Sequence, residues 1–103
     1  MMDINQPQRD VQHTEPGLAG FDRLCWAVAG LVEEAGEVIG VHSKLSWKKN
    51  RKKLTEEAWA DELGDVLWYL AQVSLCKGLT LEEIWVKNQE KLTARFGPNQ
   101  KNI

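Results

Sequence analysis

The sequence predicts an all-α fold, a helical bundle of three main helices completed by oligomerisation. Three observations carry this. Apolar residues recur at i, i+3, i+4 and i+7 through two long stretches, around 18–45 and 55–77. No run alternates with period two for long enough to make a strand. The second stretch is apolar around more of its circumference than one partner helix covers.

Residues 1–17 are polar and carry Pro7, Pro16 and Gly17. They read as a flexible arm, or one draped over a partner. The first helix is expected from about Leu18 to about Leu45. Its apolar arc is Phe21, Leu24, Cys25, Val28, Leu31, Val32, Ala35, Val38 and Ile39. Gly30, Gly36 and Gly40 interrupt it, each costing about 1 kcal/mol relative to alanine. Such a cost points to close approach by another helix or a ligand.

A basic connection, "WKKNRKK", follows over 47–53. Thr55 is placed to cap the second helix, with Glu56 and Glu57 at its positive start. Gly78 is placed to end it. Trp59, Leu63, Val66, Leu67, Leu70 and Val73 form its main face, with Trp68 and Leu75 on another side. In one short chain, the second cover most easily comes from another subunit. A homodimer or homotetramer with a four-helix-type core is therefore expected. Thr80 and Glu83 form a capping box for the third helix, which runs to about Phe96 and stops before "GPN". Residues 99–103 are a short tail.

The 103 residues make one domain with a modest core. A net charge of -2 argues against a nucleic-acid partner, which usually meets a strongly basic domain. No apolar run approaches a membrane span, and the polar start "MMDINQPQRD" lacks a signal-peptide core. A cytoplasmic location is expected. Cys25 and Cys76 belong to no C-x-x-C pair and are expected to pack as small hydrophobes. With His13 and His42 they lack zinc-site spacing.

The chemistry lies in the acidic residues. Glu34 and Glu37 fall about 60° apart on the first helix, at the border of its apolar arc. Glu62 and Asp65 repeat the spacing on the second helix, with Tyr69 one turn on. Antiparallel packing brings the two pairs together. Four close carboxylates repel strongly, and a hard divalent cation, Mg²⁺ or Mn²⁺, relieves that. A di-iron bundle would need Glu-x-x-His pairs, and no His stands three after a Glu here.

"GLVEEAGEV", "LTEEAWADELGDVLWYLA" and "NQEKLTARFGP" together resemble the MazG-like, all-α nucleoside triphosphate pyrophosphohydrolases. That family's motif is E-x-x-E, a spacer, then E-x-x-D. Here it reads Glu34 to Glu37, 24 intervening residues, then Glu62 to Asp65. The resemblance spans roughly Leu18 to Pro98 and marks 18–98 as the catalytic domain. It implies Mg²⁺-dependent cleavage between the α and β phosphates of a (d)NTP, yielding a monophosphate and pyrophosphate in nucleotide-pool housecleaning. Glu34, Glu37, Glu62 and Asp65 would hold metal, and Glu34 or Glu37 would take the proton of the attacking water. A non-catalytic nucleotide-binding or interaction module, or an enzyme for phosphoribosylated or nucleotide-sugar substrates, are the alternatives. Glu33 departs from many relatives, which have Gly or Ala there.

Asn88, Lys91 and Arg95 share one face of the third helix and match the family's N-x-x-K-x-x-x-R pattern. The resemblance assigns them to phosphate. Tyr69 matches a family aromatic near phosphate or sugar. Trp26, expected on the non-core side near Glu37, and Trp47, where the helix meets the basic loop, are candidates for stacking on a base.

Overall fold

The fold is seen in a computed structural model that describes residues 2–13, 17–47 and 55–97, with side chains described over the same ranges except 39–47. Four helices follow in order: α1 (Gln6–Val11), α2 (Gly20–Trp47), α3 (Glu56–Cys76) and α4 (Leu81–Phe96). There is no strand among the described residues. The basic residues 48–53, the Trp47 side chain and the tail 99–103 lie outside the description.

The caps are where local sequence rules put them. Thr55 Oγ1 accepts from the Ala58 amide at 3.3 Å and starts α3. At α4, Thr80 Oγ1 accepts from Glu83 N at 3.0 Å, and Glu83 Oε1 accepts from Thr80 N at 3.1 Å. Gly78 has φ 67 and turns the chain out of α3, with Leu79 N donating to Ser74 O at 3.0 Å.

The amino-terminal arm differs from expectation. Residues 6–11 are helical, with Pro7 in the first turn where its missing N–H costs nothing. Val11 is buried against Ala71 and Leu81, with Trp68, Leu70, Leu75 and Ile84 packed around them. The Gln8 amide donates to Leu79 O, and Asn5 Oδ1 accepts from Glu82 N at 3.0 Å. The arm thus staples the α3–α4 turn. Its polar composition concealed this because side-chain amides do much of the docking.

α2 and α3 pack antiparallel: Arg23 pairs with Gln72, Gly30 meets Tyr69, and Glu34 faces Glu62 and Asp65. The α2 side of this seam is Arg23, Ala27, Gly30 and Glu34, one strip at helical spacing. These residues are mostly small or polar. The apolar arc expected to form the core therefore points elsewhere. Phe21 is 76% exposed and Val32 68%. Cys25, Val28 and Ala35 are exposed too, and among the arc's described side chains only Leu24, Leu31 and Val38 are half-buried. Cys25 thus faces out instead of packing in a core, and Cys76 is half-buried. On α3, Leu63 and Leu67 are exposed. Periodicity reported an apolar face correctly but not which neighbour it meets.

α4 joins the body through its first turn, where Leu81 is buried and Ile84 packs on the core. Beyond it, Trp85, Val86 and Phe96 are exposed, and α4 packs along neither α2 nor α3.

Candidate metal centre

Midway along the α2–α3 seam, one carboxylate oxygen each from Glu34, Glu62 and Asp65 lies within 4.8 Å of the others. Helical spacing sets this up. Glu62 and Asp65 are three residues apart on α3, and antiparallel packing lays Glu34 of α2 across them. Glu34 and Glu62 are half-buried, Asp65 and Glu37 exposed. The cluster is sealed on the seam side and open on the other.

Electrostatics mark the cluster as strained without a cation. Desolvation lifts the Glu34 carboxyl above its ordinary value. Repulsion by Glu37, a side-chain hydrogen bond with Glu37, and repulsion by Asp65 and Glu62 add to it. Glu62 is raised for the same reasons: burial first, then Glu37, then Asp65 and Asp61. Glu37 therefore stands close to both, beside the three-oxygen group.

Oε2 of Glu34 and Oε2 of Glu62 are each buried with no hydrogen-bond partner among the described residues. A buried anionic oxygen normally accepts several hydrogen bonds or meets a cation. Orphaned carboxylate oxygens at this spacing fit a hard, oxygen-seeking divalent ion such as Mg²⁺ or Mn²⁺.

The other candidates are scattered. Tyr69 is half-buried one turn from Asp65, its ring against Gly30. Trp26 does not sit on the non-core side as expected: it is half-buried, its ring centroid 5.4 Å from Tyr69 and 5.8 Å from Trp68. Trp47 closes α2. Asn88, Lys91 and Arg95 share a face of α4, where a groove of about 870 Å³ is lined by Leu79, Glu83, Ile84, Lys87, Asn88, Glu90 and Lys91 but not by Arg95. Among the described residues α4 does not pack along α2 or α3. Two residues join the site that the sequence does not assign to it; in the sequence Trp68 reads only as part of the apolar surface of the second helix. Trp68 completes the aromatic group beside the cluster, and the fully buried Gln72 accepts from Arg23 Nη2 at 2.9 Å. A polar residue recurring on the carboxylate strip of α3, at 62, 65, 69 and 72, is the signal that would have found Gln72.

Residues 26–97 match the model of the MazG nucleotide pyrophosphohydrolase domain. The chain is also similar to the Gene 37 protein of Mycobacterium phage L5, 36% identical over 86 residues, covering 78% of this chain and 75% of that one. No solved structure matches the chain with significance.

Proposed function

The chain belongs to the MazG nucleotide pyrophosphohydrolase domain family, and on that footing we propose that it hydrolyses a nucleoside triphosphate, (d)NTP, to the monophosphate and pyrophosphate with Mg²⁺. The observation that carries the reading is the carboxylate group of Glu34, Glu62 and Asp65 with its two orphaned buried oxygens. A divalent cation held there supplies positive charge to the triphosphate and acidifies water.

The protein's own groups do the rest. Glu34 and Glu62 are fixed from opposite helices, so the ion site is preformed by the seam. Glu37 stands outside the three-oxygen group, exposed and beside it. We assign it the water's proton, because of the two motif carboxylates on α2 Glu37 is exposed and Glu34 half-buried. Trp26 and Tyr69 form a half-buried aromatic pair, Tyr69 one turn from Asp65, and an aromatic surface there suits a nucleobase or sugar.

Assembly belongs to the same reading. The outward arc Phe21, Cys25, Val28, Val32 and Ala35, with Leu63 and Leu67, is a large apolar surface for a soluble monomer. A second copy covers it and makes the four-helix core, in a homodimer or homotetramer. Because α4 does not pack along α2 or α3 among the described residues, we read Asn88, Lys91 and Arg95 as serving the cluster of another subunit.

No helix among the described residues is long and apolar enough to cross a membrane, which is compatible with cytoplasmic nucleotide chemistry. The test is a panel of NTPs and dNTPs with Mg²⁺, Mn²⁺ or chelator, scored for pyrophosphate against orthophosphate. Metal-dependent pyrophosphate release from at least one nucleotide supports the reading. Binding without turnover across the panel leaves a non-catalytic module, and turnover only of phosphoribosylated or nucleotide-sugar substrates moves the substrate class.

A further inference from the structure

We propose that Gly30 and Tyr69 act together as a spacer that sets the distance between the carboxylates of α2 and those of α3. The inference rests on the reading of the cluster as a metal centre. A Cβ placed on Gly30 would fall within the Tyr69 ring, against Cε1, Cδ1 and Cζ. Around Gly36 of α2 and around Gly64 of α3, by contrast, an added Cβ would meet nothing within 4 Å.

The ring cannot easily swing aside. Trp68 stands against it edge-on, centroids 4.9 Å apart, and Trp26 lies at 5.4 Å. A methyl at residue 30 must therefore be accommodated by moving the helices apart, since interaxial distance follows the side chains at the contact. The place matters. Gly30 is one turn before Glu34, and Tyr69 is one turn after Asp65. The closest backbone-to-ring contact thus sits directly beside the oxygen group. A Mg²⁺ site tolerates little change in ligand distance. Glycine is the poorest helix former after proline. Its presence mid-helix is what a spacing requirement, and not local helix stability, selects.

Gly30 is accordingly a positioning residue: it touches no substrate and acts through the helix separation. The readout is Mn²⁺ binding to the full chain without nucleotide, followed by electron paramagnetic resonance, with folding checked by circular dichroism. Gly30→Ala is expected to weaken Mn²⁺ at least 10-fold while helicity is retained. Adding Tyr69→Leu, which removes the ring the new methyl strikes, is expected to restore affinity to within about threefold of the parent. Tyr69→Phe, which keeps the ring and deletes the hydroxyl, is expected to bind as the parent does. Parent-like binding by a folded Gly30→Ala overturns the proposal. If that variant does not fold, failure of the folded double variant to bind overturns it instead, as does a large loss in Tyr69→Phe. A parent that binds no Mn²⁺ refutes the metal centre itself, an outcome separate from those three.

Discussion

Replacing Val32 by aspartate should break the assembly without disturbing the protomer. Val32 is 68% exposed on the outward arc of α2, so its substitution disturbs little intrachain packing. Fully burying a valine is worth about 1.5–3 kcal/mol, so covering this exposed part is worth about 1–2 kcal/mol per protomer. A twofold interface counts each substitution twice, giving about 2–4 kcal/mol. At about 1.4 kcal/mol per tenfold, the dimer dissociation constant should rise roughly 30- to 700-fold. The new carboxylate, unpaired against Phe21, Val28 or Leu63 of the facing copy, adds to that loss. Sedimentation velocity across the micromolar range reads the shift from dimer or tetramer to monomer, and circular dichroism checks that helicity is kept. A folded Val32→Asp protein that associates as tightly as the parent would refute the assignment of this face. A parent that is itself monomeric at those concentrations would refute the assembly altogether.

Three further outcomes follow from the same structure. The carboxyls of Glu34 and Glu62 are raised by burial and by repulsion from neighbouring carboxylates, Glu37 first, so the folded metal-free protein holds their protons more tightly than the unfolded chain. Their contribution to stability is present below the ordinary value of 4.5 and is lost as pH rises through the raised values; melting of the chelated protein should therefore show a loss between mildly acid and neutral pH that Mg²⁺ reverses, and a metal-free melting temperature that climbs over that range would contradict it. On the proposal that α4 serves a neighbouring subunit, Asp65→Ala and Arg95→Ala, each inactive alone, should regain activity when refolded together, up to roughly a quarter of the parent if half the dimers are mixed and each carries one intact site; no recovery in demonstrably mixed assemblies would place the α4 cations elsewhere. Thr80→Ala removes the side-chain half of the α4 capping box, which should cost about 1 kcal/mol and lower the melting temperature by about 4–8 °C, with an unchanged melt counting against the cap.

Much of the fold was legible because it is written in local rules. Thr55, Thr80 with Glu83, and Gly78 each act through their own backbone neighbours, so the three long helices fall within a few residues of expectation. The carboxylate strips were legible for the same reason, since i, i+3 spacing fixes a face. What the residues could not announce was which face meets which. The outward arc of α2 has the periodicity of a core helix, yet the seam with α3 is built on Arg23, Ala27, Gly30 and Glu34. Burial is a property of pairs of surfaces, and a single-chain pattern holds only one of each pair. Trp26 was misplaced by this logic: assigned away from the apolar arc, it lies beside the seam, held by Trp68 and Tyr69. The short α1 was hidden because Gln8 and Asn5 dock it through amide hydrogen bonds that no hydrophobic period reports. The isolation of α4 was equally invisible, since a capping box says where a helix starts and nothing about where it leads.

The central claim is that Glu34, Glu62 and Asp65 form a divalent-cation centre for triphosphate hydrolysis. Glu62→Gln tests it most directly, because the amide keeps the shape of the side chain while removing one anionic ligand. Phosphorus-31 NMR of an accepted nucleotide with saturating Mg²⁺ follows products of parent and variant side by side. The account predicts nucleoside monophosphate and pyrophosphate in equal amounts from the parent, with the rate falling at least 100-fold in a folded Glu62→Gln protein, a loss of the size expected when an interaction made in the transition state is removed. Diphosphate and orthophosphate from the parent, or parent-like turnover by the variant, would contradict it.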